Sequence, residues 1–81
     1  MITKDSIESA YCFFHQKWNI YSKSVNESQK DDIEYAIGNY ANEMNRELYA
    51  EMSKGKNGFL LEHSTFAEDI TDAIAYLEPL L

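Results

Sequence analysis

Residues 28–53 read SQKDDIEYAIGNYANEMNRELYAEMS, and within them Ile33, Ile37, Tyr40, Met44, Leu48 and Met52 recur every three or four positions. That spacing lines one face of an α-helix. A single helix across 28–53 would run roughly 35 to 40 Å at ~1.5 Å per residue, longer than the core of an 81-residue chain can cover alone. The expectation is a helical protein that self-associates through this rod. Its weak point is Gly38-Asn39, because glycine costs roughly 1 kcal/mol relative to alanine in a helix interior. Either the helix bends there or another backbone packs close against it.

Working outward, a first helix is expected from about Asp5 to Tyr21, with Asp5 and Glu8 at capping-box spacing. Ile7, Tyr11, Phe14, Trp18 and Tyr21 follow one another at four, three, four and three residues, a heptad-like seam widened by Ala10 and Phe13. The polar residues 22–27 form the first connection. Ser28 and Asp31 suggest a second capping box, and Lys54-Gly55-Lys56-Asn57-Gly58 ends the long helix. For Phe59, Leu60 and Leu61, a single helical turn or an apolar plug is expected. Thr65 and Glu68 suggest a third capping box ahead of Phe66, Ile70, Ala73, Ile74 and Leu77. Pro79 stops that helix, and the apolar Leu80 and Leu81 are expected to dock on the protein or on a partner subunit.

No strand pattern competes with these helices. Residues 1–81 therefore make one all-α domain, a small three-helix unit with or without a short helical turn at 59–63. Two copies would combine into a dimeric helical bundle.

A hydrophobic content of 44% and an aromatic content of 14% argue against disorder, which needs low hydrophobicity with high net charge. The net charge of -7 makes nucleic acid an unfavourable partner, since phosphate binding depends on clustered Lys and Arg. No run approaches the ~20 apolar residues of a membrane span. The opening Met-Ile-Thr-Lys-Asp carries no apolar leader, so no membrane association and a cytoplasmic location are expected. The single Cys12 excludes an intramolecular disulfide.

Cys12 and His15 lie three residues apart on one helix, and folding could bring His63 to them. A structural zinc site needs four ligands, so this set falls short by one, and a buried or half-buried thiol is expected instead. A Cys-His nucleophile would also lack its orienting third group. Glycine-rich phosphate loops and a nucleophile elbow are absent. No cofactor is expected.

Two acidic pairs remain, Asp31 with Glu34 and Asp69 with Asp72, each spaced to project from one side of a helix. Facing pairs of this kind can hold Mg²⁺. The segment 68–77, EDITDAIAYL, resembles the second acidic helix of MazG-type all-α nucleoside triphosphate pyrophosphatases. Asp31 to Glu34 would stand where that family has its first acidic pair. The resemblance covers under a third of the chain, has Asp31 in place of a glutamate, and brings no Lys or Arg to hold a triphosphate. It implies a Mg²⁺-dependent nucleotide pyrophosphohydrolase using Asp31, Glu34, Asp69 and Asp72. The runs 30–37 and 58–66 are similar to small helical proteins of unknown function from Bacteroides-type bacteria. That similarity implies a small dimeric helical protein and adds no site residues.

Glu43, Glu47 and Glu51 form another acidic row. Six tyrosines, 11, 21, 35, 40, 49 and 76, suit half-buried rims and interfaces. The leading expectation is a non-enzymatic protein-interaction module acting as a homodimer. Its interface or core would be built from Tyr11, Phe14, Trp18, Tyr35, Tyr40, Met44 and Tyr49, with another protein as a further partner. Charge alone adds a third reading, an acidic antagonist that occupies a basic surface.

Overall fold

The computed structural model describes residues 2–81. Four α-helices follow in order, α1 Lys4–Lys23, α2 Glu27–Glu43, α3 Arg46–Ser53 and α4 Phe66–Leu77, and a single 3₁₀ turn at Glu78–Leu80 closes the chain. No strand occurs among the described residues. The all-α expectation holds, with four helices in place of three.

The largest correction falls on 28–53. The rod is two helices, because Met44 turns to an extended conformation (ψ 173°) and Asn45 starts α3 by accepting from the backbone N–H groups of Glu47 and Leu48. Arg46 reinforces the break, donating to the Met44 carbonyl at 3.2 Å and to the Ala41 carbonyl. Asparagine side chains compete with helical backbone bonding in this way. The apolar rhythm continues across the break because Met44, Leu48 and Met52 keep their spacing of four while the backbone restarts. The 17 residues of α2 span about 26 Å and fit within a body of 37 × 24 × 19 Å. Helix length therefore gives no reason for a second copy.

The caps are also displaced. Thr3 and Ser6 form the box on α1, in place of Asp5 and Glu8. Asn26 caps α2, in place of Ser28. Thr65 holds the N-cap position of α4 but its side chain bonds no backbone N–H there; its hydroxyl donates to Asp69.

α1 packs mainly on α4 and also on α2, while α3 closes against α4. Phe14, Ile37, Leu48, Phe66, Ile70 and Leu77 are buried to 1% exposure or less. Rings fasten the layers: Phe13 stacks on Tyr40 at 4.3 Å, Tyr21 meets Phe66 at 5.1 Å, and Tyr49 meets Phe59 at 6.1 Å. The aromatic seam of α1 is thus engaged within the chain. Leu80 and Leu81 are 45% and 52% exposed, so the tail docks only in part.

Candidate functional site

The connection between α3 and α4 positions the site, and Asp69 on the first turns of α4 organises that connection. Its carboxylate is fully buried, at 0% exposure. It accepts from Lys56 Nζ at 2.5 Å, the Leu60 backbone N–H at 2.9 Å and the Thr65 hydroxyl at 3.2 Å. Burial of a charge is tolerable only when it is paired and hydrogen-bonded in this manner. Bonding to Asp69 holds the Lys56 ammonium above its usual pKa.

With its N–H captured, Leu60 adopts a left-handed φ of 65°, unusual for a residue with a side chain. Phe59 and Leu60 drop into the core at 2% and 1% exposure, whereas Leu61 is turned outward at 49%. The apolar-plug alternative holds, carried by two residues and built as a turn closed by Leu61 N–H to the Gly58 carbonyl at 2.8 Å. Leu61 then lies over Gly38 of α2, where a Cβ would stand 3.5 Å from Leu61 Cδ2 and 4.0 Å from the Leu60 carbonyl. These are ordinary contact distances and α2 runs unbroken through Gly38, so no bend or tight backbone approach requires the glycine.

Tyr35, one turn before Gly38, is 73% exposed. Residues three apart share a helix face, so Tyr35 and Leu61 flank one strip of surface. Its surroundings are acidic: α2 carries Glu27, Asp31, Asp32, Glu34 and Glu43 against the single base Lys30, and Glu62 follows Leu61.

At one edge of this strip, His63 reaches across from the connection. Its Nδ1 stands 2.9 Å from both carboxylate oxygens of Glu34. The hydrogen bond and charge of Glu34, with Asp31 and Glu27 behind, raise the imidazole pKa. Glu34 also accepts from the Tyr21 hydroxyl at 3.2 Å. Burial first, then the charge of Glu34, raises the pKa of that phenol.

No family model, curated protein or solved structure matches this chain.

The expected site residues separate. Among the described residues, Asp31, Glu34 and His63 form the one group of three or more side chains able to hold a metal ion. Asp69 stays in its own network, and exposed Asp72 lines a separate cavity of about 350 Å³ between α3 and α4 with Lys56, Phe59 and Tyr76. The four carboxylates do not gather into one group. Cys12 is exposed, correcting the expectation of a covered thiol, and His15 stacks on Tyr11 at 5.4 Å. Neither joins His63.

Of the interface or core candidates, Phe14 is core, while Tyr11, Trp18, Tyr40, Met44 and Tyr49 are half-buried against it. Tyr49 donates to the Phe59 carbonyl at 2.7 Å. Tyr35 alone among the seven is exposed. The sequence reading missed the Asp69 hub and the pairing of His63 with Glu34. The 29-residue separation of that pair lies beyond any periodicity.

No helix of the described residues is long and apolar enough to cross a membrane.

Proposed function

We propose that this chain is a non-enzymatic protein-interaction module that receives a basic, apolar-bearing surface of another protein on the strip between Tyr35 and Leu61. The observation that carries this reading is the exposure of these two side chains, 73% and 49%, within an acidic surround. A large exposed tyrosine is the kind of anchor that dominates binding energy once a partner excludes water from it. Charges around it set encounter rate and partner choice. The net charge of -7 acts in the same direction.

A homodimer through the same strip is the competing reading. Twofold pairing would bring Asp31, Asp32 and Glu62 of each copy toward those of the other, and like charges in an interface cost energy. The Mg²⁺-dependent pyrophosphohydrolase reading would require Asp69 to leave Lys56, Leu60 and Thr65 before it could join Asp31 at a cation. The interaction reading requires no such rearrangement.

Titrating a lysine–leucine amphipathic helical peptide into isotope-labelled protein tests the proposal by chemical-shift mapping. Shifts centred on Tyr35, Asn39 and Leu61, weakened by salt and abolished in Tyr35→Ser, are expected. Shifts centred on Glu43, Glu47 and Glu51, or none, would overturn it.

A further inference from the structure

Asp31, Glu34 and His63 each offer one ligand atom, and these atoms lie within 4.8 Å of one another. Two sit one turn apart on a single face of α2. The third is carried in by a connection whose preceding turn is fixed by the Leu60 N–H bond to Asp69. The cluster therefore joins two parts of the chain that are distant in sequence.

Three features separate it from an ordinary acidic surface. It contains an imidazole, which, mixed with carboxylates, suits zinc and similar borderline cations, whereas Mg²⁺ and Ca²⁺ favour oxygen donors throughout. Its Glu34 carboxylate already accepts from the Tyr21 hydroxyl at 3.2 Å, the kind of outer contact that orients a ligating carboxylate. Among the described residues, no Lys or Arg is ion-paired with Asp31 or Glu34, and the proton on His63 is the one positive charge that a metal ion would displace from Glu34.

Geometry is compatible. A tetrahedral zinc ion with bonds of ~2.0–2.1 Å holds its ligand atoms about 3.3 Å apart. His63 Nδ1 stands 2.9 Å from Glu34 oxygen, so that pair opens by a few tenths of an ångström, while the exposed Asp31 side chain, within 4.8 Å of both, closes a gap of up to about 1.5 Å by rotation.

We propose that Asp31, Glu34 and His63 form a three-ligand site for a divalent borderline cation, with zinc the best fit and one coordination position left open to water or a partner's side chain. The set differs from the four-carboxylate Mg²⁺ arrangement in using His63 and in omitting Asp69 and Asp72. It also differs from the Cys12–His15 pair, which lies apart from His63. Bound metal would clamp the α3–α4 connection to α2 and reduce the negative charge beside Tyr35. The site stands independently of the docking proposal, since it needs only the three ligands.

Calorimetric titration of ZnCl₂ into untagged protein tests it, with Co²⁺ absorption as a reporter of coordination. One ion per chain is expected, unaffected by excess Mg²⁺ and retained in Cys12→Ser. Affinity should fall by roughly tenfold or more in His63→Ala and in Asp31→Asn, while the helical circular dichroism of both variants stays that of the wild type. Absence of saturable zinc binding would overturn the proposal, as would binding that survives His63→Ala or disappears in Cys12→Ser. Should His63→Ala lose helicity, Asp31→Asn decides, because Asp31 is exposed at the surface of α2.

Discussion

The buried carboxylate of Asp69 accepts the backbone N–H of Leu60 at 2.9 Å, and Leu60 holds a left-handed φ of 65°. One side chain on α4 thereby fixes the backbone that sends Phe59 and Leu60 inward and Leu61 outward. The outward turn of Leu61 beside Tyr35 and the approach of His63 to α2 both follow from it.

Removing this anchor should destabilise the fold. In Asp69→Ala the Lys56 ammonium can return to water, but the buried Leu60 N–H is left without a partner, a loss of about 1–3 kcal/mol. Thermal unfolding should fall by roughly 4–8 °C for each kcal/mol in a chain of this size. Asp69→Asn, which keeps an acceptor and the volume, should lose less. An Asp69→Ala variant as stable as the wild type would mean that the turn is held by burial of Phe59 and Leu60 alone.

Gly38 gives the opposite sign. An alanine Cβ would meet Leu61 Cδ2 at 3.5 Å and the Leu60 carbonyl at 4.0 Å, ordinary contact distances. Gly38→Ala should therefore stabilise α2 by about 0.5–1 kcal/mol, read as a higher denaturant midpoint with an unchanged slope. A destabilised variant would show that the connection lies closer to α2 than these distances.

Phe14 and Trp18 share the seam of α1, yet only Phe14 is fully buried. Phe14→Ala should cost about 3–5 kcal/mol. Trp18→Ala should cost clearly less, because part of the indole is already in water, and the full core penalty applies to a fully buried ring. Equal losses in parallel urea melts would contradict this ranking.

The His63–Glu34 pair makes stability depend on pH. Its folded pKa is raised above the ordinary 6.5 by Glu34, with smaller contributions from Asp31 and Glu27. The imidazole is then protonated in both folded and unfolded chains at pH well below 6.5, where its contribution is complete. That contribution is lost as pH rises through the elevated folded value. Comparing His63→Gln with the wild type in urea, from about pH 5 to about pH 8, should show the two converging toward the alkaline end. A difference that grew with pH would reverse the assignment.

Fold class was legible because helical periodicity is local. The stripes of α1 and α4 and the stop before Pro79 can be read from neighbouring residues alone. The break at Asn45 was not, because Met44, Leu48 and Met52 keep helical spacing through it. Only the asparagine, with Arg46 folding back on Ala41 and Met44, marks the restart. Asp69 read as a surface acid at helical spacing, and its burial is decided by Lys56, Leu60 and Thr65 arriving from the connection. Asp31 and Glu34 pair by helical spacing alone, but their third neighbour, His63, is supplied by tertiary folding.

Sedimentation velocity of the chain alone, over a concentration series at low and at high salt, most directly tests whether the acidic strip is made for a partner of opposite charge. A single species of 9.4 kDa at every concentration in low salt is the expected result. A dimer that persists on dilution in low salt would contradict it, because charge repulsion between two acidic faces is least screened under that condition.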